Sequence, residues 1–254
     1  MLGVLGGTSL FQSRLFSPFE RRTIETPYGR VVYHIDPATQ QIVYIQRHHA
    51  DVDRNEAYAP PHHINHRANV AALHQLGVRR CIGVCSVGSL NPDLTVGTCV
   101  IPDDFSMLPV MATVVTFYED DARGHKVPAL DEGLRADLRQ ALTGVIHPLH
   151  MGGTYVQTRG PRFETPAEVR ALRMFGDVVG MTAGAEAVCC GELDIRYAQL
   201  CMVDNLANGL LGDAQRLSEK AFVAAVQQNL KTVERAIQRV FAFYALAAED
   251  AARP

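Results

Sequence analysis

The chain has 254 residues, 47% hydrophobic and 20% charged, which is ample for one buried core and too apolar for a disordered segment. A formal charge of -3 carries no basic signal for nucleic acid. No apolar run approaches the ~20 residues of a membrane span. The N-terminus lacks the positive region of a secretory leader, so we expect a cytoplasmic protein with no membrane partner.

In chain order, residues 2–6 read as a buried strand running into Gly6-Gly7-Thr8. Residues 31–35 and 41–45 predict a strand pair, and a polar stretch rich in His, Asp and Pro follows over 47–63. Residues 64–76 read as a helix, 78–84 and 96–101 as strands, and 119–129 as a charged loop. Residues 134–142 predict a helix and 153–156 a strand. Thr165, Pro166 and Glu168 are spaced as a helix start with a capping box. Residues 178–181 and 198–203 read as strands, with a helix over 184–192 between them. Val226, Leu230, Val233, Ile237, Val240, Phe241 and Tyr244 recur at three and four, the face of a last helix. The tail from Glu249 is expected to fray. Strands alternating with helices predict one α/β domain over residues 1–254, with ligands at its loop ends.

Several strand ends offer small donors. Gly6-Gly7-Thr8, Cys85-Ser86-Val87-Gly88 and Met181-Thr182-Ala183-Gly184 each read as a tight turn after a strand. Any one of them is explained by an ordinary turn. Together with Arg47-His48 they describe an oxyanion cradle with hydroxyls from Thr8, Ser86 and Thr182. The glycines match neither the dinucleotide nor the P-loop pattern. Phe163 lies in a loop where it either stacks on a flat heterocycle or packs in the core. Six cysteines without a CxxC read as buried free thiols. His48, His49, His62, His63 and His66 invite a metal reading. Adjacent histidines point in different directions and lack an acidic ligand at helical spacing, so no metal is expected.

Taken in order, Arg47-His48, residues 86–90, residues 160–165, Met181-Thr182 and Asp204-Asn205 resemble the trimeric purine nucleoside and methylthioadenosine phosphorylase family over nearly the whole chain. The resemblance implies an α/β nucleoside phosphorylase fold with a mixed, partly barrel-like sheet flanked by helices, assembled as a homotrimer. Phosphate would be the co-substrate, with no other cofactor. It would be held by Thr8, Arg47, His48, Cys85, Ser86 and Thr182. Met181 would lie along the ribose and Phe163 on the purine. Glu164 and Asn205 would bind the base edge, with Leu206 and Ala207 beside them, and Asn205, Glu164 and His48 would be the catalytic set. Adenine-cleaving relatives carry a small hydroxyl residue in place of Glu164, and aspartates in place of Asn205 and Ala207. The expected base is therefore a 6-oxopurine. Around the 5′ group the resemblance points to Leu217, Ser218, Glu219 and Phe222, with His125 reaching over from a neighbouring subunit. No histidine for a free 5′-hydroxyl stands in residues 217–222, so S-methyl-5′-thioinosine is expected ahead of inosine or guanosine, and methylthioadenosine after these. Three features depart from the family: a longer 48–60 stretch, His49 in place of glycine and Cys85 in place of threonine. A hydrolytic nucleosidase and a non-catalytic purine-binding protein are the competing readings.

Overall fold

Five consecutive buried residues make β1 (Leu2–Gly6) an interior strand. The computed structural model describes residues 1–49, 58–107, 115–119, 126–212 and 216–251. β1 lies parallel to β4 (Ile42–Gln46) on one flank and to β5 (Arg80–Ser89) on the other. β3 (Gly29–Ile35) pairs antiparallel with β4, and β2 (Glu20–Thr26) forms the outer edge against β3. Sequence reading did not mark β2. Its residues, ERRTIET, carry charges on the exposed positions, as an edge strand tends to, and that masks the alternation.

β5 is longer than predicted. Residues 85–89, expected as a turn, continue the strand, because β11 (Arg196–Leu206) pairs with it in parallel from Arg80 to Ser89. Serine and glycine there read as turn residues, yet they stand in a central strand with a full ladder on one side.

Beyond β5 the sheet curls. β10 (Val178–Gly180) meets β5 antiparallel at Gly88 and Ser89, β9 (Thr154–Gln157) lies parallel to β10, and β7 (Asp104–Ser106) lies parallel to β9. On the other flank β11 pairs with β6 (Cys99–Ile101), and β6 with β8 (Leu149–Met151). β6 runs on into β7 and β8 into β9. Gly152 N–H donates to Ile101 O at 2.9 Å and Asp103 N–H to Gly153 O at 3.0 Å across that corner. Gly152 and Gly153 turn it with φ of 102° and 89°, which other residues rarely adopt. The circuit from β5 through β11, β6, β8, β9 and β10 back to β5 is closed, so the sheet is mixed and partly barrel-like, as expected.

Helices cover both sides. α1 (His66–Gln75) and α4 (Ala183–Glu192) bury Val70, Leu73, Ala187 and Cys189 against Leu5, Val43 and Ile45. α2 (Glu132–Leu142) and the long α5 (Glu219–Ala251) bury Leu134, Leu138, Val233 and Ile237 against Val4 and Ile82. α3 (Pro166–Leu172) has the predicted capping box, with both reciprocal bonds between Thr165 and Glu168. α5 stays helical through Ala251, past the expected fraying point. Residues 245–251, ALAAEDA, are mostly strong helix formers. All six cysteines are buried and free. Among the described residues, no helix is long and apolar enough to cross a membrane.

Candidate active site

The cleft opens where two strands leave β5 on the same flank. β1 stops at Gly6, opposite Val84, and β10 joins only at Gly88. Between those points residues 85–87 have no neighbour on that side, which is the kind of strand divergence that hosts ligands in α/β sheets. A cavity of roughly 230 Å³ fills the gap. Thr8, Arg47, His48, Ser86 and Thr182 line it together with Phe163, Glu164, Met181, Asn205 and Phe222.

Arg47 is 1% exposed and Glu186, on α4, is fully buried. Its Nε donates to Glu186 Oε1, and Nη2 donates to Glu186 Oε2 at 3.0 Å and Leu5 O at 2.7 Å. Nη1 donates to Val84 O at 2.8 Å. One Nη1 proton of the guanidinium remains for the cleft. Burial works against the charge, but Glu186 holds the guanidinium protonated. Gly7 makes room for this arrangement, since a Cβ there would stand 2.1 Å from Arg47 Nη1. Tyr197 donates to Glu186 Oε2 at 2.7 Å and completes the buried group.

His48 Nδ1 lies 2.8 Å from Ala59 O, so Nδ1 carries the hydrogen and Nε2 is an acceptor. Burial lowers the imidazole to about 3, aided by Arg47, and the ring is neutral near pH 7. Tyr58 stacks on it with centroids 4.8 Å apart.

Thr182 is the N-cap of α4, yet its hydroxyl makes no capping bond. Tyr155 OH accepts from Thr182 N and Ala183 N at 3.2 Å, and Gln157 Oε1 accepts from Ala185 N at 2.9 Å. Those side chains occupy three of the backbone donors at the start of the helix, and the threonine lies at the cavity wall.

At the other end Glu164 is 8% exposed. Thr158 Oγ1 donates to its Oε1 at 2.7 Å. Burial raises the carboxyl above its ordinary range and the Thr158 bond pulls it partly back. β11 carries a bulge between Val203 and Asn205, which turns Asn205 toward the cavity. Gly88 admits the amide: a Cβ there would lie 2.9 Å from Asn205 Nδ2. Phe163 meets Phe222 edge to face at 5.3 Å. Asn208 ties this end together, donating to Glu164 O at 2.8 Å and accepting from Leu217 N at 2.7 Å.

Some predicted residues lie elsewhere. Cys85 alternates away from Ser86 on β5, and its side chain packs with Val87, Val100 and Cys201. Ala207 is buried against Leu90, Val169 and Leu172, and Leu206 contributes its carbonyl to Asn205 Nδ2 at 3.1 Å. Ser218 Oγ accepts from Ala221 N at 3.1 Å at the start of α5, so it acts as a helix cap and not as a wall of the cleft. Leu217 is half-buried behind Asn208. Glu219 lines a second cavity of about 380 Å³ with Phe11, Val223, Val226 and Leu230, and this cavity shares Thr8, Tyr58 and Phe222 with the first. His125 lies outside the described residues, as does most of the 48–60 stretch. Sequence reading missed Tyr58, Thr158, Glu186 and Asn208. Among the described residues no group of three or more His, Cys, Asp or Glu is placed to hold a metal.

A strand-divergence cleft with anion donors at one end and an aromatic, carboxylate and amide at the other defines a protein built for an anion and a flat polar heterocycle. The chain belongs to the phosphorylase superfamily, whose model matches residues 2–242. It is 38% identical over 246 residues to a probable 6-oxopurine nucleoside phosphorylase of Archaeoglobus fulgidus, covering 95% of this chain and 97% of that one. It is 40% identical over 238 residues to a probable S-methyl-5′-thioinosine phosphorylase of Methanopyrus kandleri, covering 92% and 89%. Among solved structures it shares its fold with a methylthioadenosine phosphorylase from Schistosoma mansoni in complex with adenine, at TM-score 0.82 and 23% identity, covering 96% and 92%.

Proposed function

We propose that this protein cleaves a 6-oxopurine nucleoside with phosphate, and that S-methyl-5′-thioinosine is the preferred substrate, yielding hypoxanthine and 5-methylthioribose 1-phosphate. The observation that carries the base assignment is Glu164, buried, held by Thr158 and facing the same cleft as Asn205. A 6-oxopurine has a hydrogen on N1, which a carboxylate accepts, whereas adenine has a lone pair there. A mispaired buried polar group costs about 1–3 kcal/mol, and sites built on such bonds discriminate strongly.

Charge sets the mechanism. HPO4²⁻ is held by Thr8, Ser86, Thr182 and the free Nη1 proton of Arg47, and its own hydroxyl donates to His48 Nε2. A phosphate oxygen forms a bond to C1′ as the C1′–N9 bond breaks, and the bonding pair leaves on the purine. Asn205 Nδ2 donates to N7, where negative charge develops, and Glu164 fixes the N1 edge. Phe163 stacks on the base and Met181 lies along the ribose, which brings the reacting atoms into line. The proton that phosphate gives up ends on the released base.

The apolar cavity that adjoins the cleft at Phe222 suits a methylthio group better than a hydroxyl, with Val223, Val226 and Leu230 as its far wall. Phe11, Tyr58 and Val223 are exposed beside it, and a second copy in a homotrimer would cover them. Six free thiols suit a reducing cytoplasm. The test is a comparison of methylthioinosine, methylthioadenosine, inosine and adenosine with and without phosphate. Hypoxanthine release at the same rate without phosphate would overturn the reading in favour of a nucleosidase. Nucleoside binding without turnover would make the protein a binder.

A further inference from the structure

Asp204 sits at the bulge of β11, directly before Asn205, and is 2% exposed. Asn229 of α5 donates to its Oδ1 at 2.8 Å. Its Oδ2 is buried without a hydrogen bond of good geometry, and so are the hydroxyl oxygens of Ser9 and Ser86. Burial favours the neutral carboxyl, while the hydroxyls of Ser86 and Ser9 and the Asn229 amide pull the other way, and the net shift is upward. The groups facing it are Asn229 from α5, Ser86 from β5 and Ser9 from the turn after β1. None of them carries a charge. Arg47 and His48 line the same cleft as Ser86, the one member of the Asp204, Ser9 and Ser86 group that reaches it.

A serine hydroxyl has one proton to give. Beside an ionised Asp204, Ser86 would spend that proton on the carboxylate and turn its lone pairs toward the incoming anion. Beside a neutral carboxylic acid the order reverses: the acid donates to Ser86 Oγ and the serine proton is free for phosphate. A buried carboxylate with no cation would also repel a dianion directly.

We propose that Asp204 is a positioning residue that carries a proton, donates it in a hydrogen bond to Ser86 Oγ and so makes the Ser86 hydroxyl a donor to phosphate. This rests on reading the cleft as the phosphate site. Anion affinity is then full below the carboxyl's pKa in the folded protein and falls as pH rises through it. Above that pKa, anion binding takes up a proton.

Sulfate tests this without turnover, because it stays a dianion across the working pH range. Sulfate is titrated calorimetrically into the full-length protein at several pH values, in two buffers of different ionisation enthalpy. The wild type should lose about 10-fold or more in affinity as pH rises, the size expected for a hydrogen bond to a charged group, and should take up a proton on binding. Asp204→Asn, whose amide donates to Ser86 without titrating, should keep the low-pH affinity throughout with no uptake. Should that variant fail to fold, Ser86→Ala serves: it should bind weakly, with most of the pH slope gone. A wild-type slope and proton uptake retained in either variant would overturn the proposal. Failure of the wild type to bind sulfate or phosphate at any pH would overturn the phosphate-site reading and this one with it. Phosphate-dependent hypoxanthine release alongside parallel pH profiles would overturn this proposal alone.

Discussion

The hydroxyl of Thr158 donates to Glu164 Oε1 at 2.7 Å, linking the end of β9 to the loop that starts α3. That bond favours the ionised form of a carboxyl that burial otherwise pushes toward neutrality. Accepting N1–H requires the ionised form, so kcat/KM for methylthioinosine should fall as pH drops through the Glu164 pKa. Thr158→Val removes the lowering bond and should move that acid limb to higher pH. A pH profile of kcat/KM checks it, and an unmoved limb would mean that another group titrates.

The two ends of the base pocket make a paired test. Glu164→Ser with Asn205→Asp exchanges an acceptor and an amide for the hydroxyl and carboxylate expected of adenine-cleaving relatives. The ratio of methylthioadenosine to methylthioinosine cleavage should rise by about 10-fold or more. No gain in the ratio would detach Glu164 from the base.

Gly7 tests the cradle from behind. A methyl group there collides with Arg47 Nη1, so the guanidinium must shift although its partners remain. Gly7→Ala should raise the phosphate KM about 10-fold or more while leaving the nucleoside KM within about twofold, the pattern of one lost charge-assisted bond. Equal effects on both substrates would point to a general loss of structure.

Acid should destabilise the fold through two buried histidines. Burial lowers His48 and His66 to about 3, so each is neutral when folded and binds a proton when unfolded below its ordinary pKa. Between pH 6.5 and about 3 the unfolded state binds more protons, and stability is lost as pH falls through that window. The slope is at most about 1.4 kcal/mol per pH unit for each histidine. Urea unfolding of His66→Gln across that window should be shallower than wild type by about one such contribution.

Much of the fold was legible because its signals are local. The capping box of α3, the three-and-four spacing of α5 and the apolar run of β1 each depend on neighbours along the chain. β2 and the far half of β5 were not, for opposite reasons. Edge exposure put charges on β2, and the close approach of Asn205 requires a glycine at position 88, where a central strand usually carries bulk. Ten of the proposed site residues meet in one cleft, and most of them flank strand ends, where sequence patterns are readable, whereas Ser86 lies within β5 and Phe222 within α5. Thr158, only 6 positions from Glu164, forms no recognisable motif with it, and Glu186 and Asn208 escaped notice because each acts on a partner far away in sequence: Glu186 lies 139 positions from Arg47 and Asn208 lies 44 from Glu164. Such partnerships exist only once the sheet has closed.

The buried pair of Arg47 and Glu186 has a consequence for how an anion is held. Its charges cancel inside the protein, and His48 beside it is neutral. Attraction at long range is therefore small, and in the proposed site an anion would be held by short, directed bonds from hydroxyls and a single guanidinium proton. Such binding should change little with ionic strength. It should favour tetrahedral oxyanions over more highly charged ones of another shape.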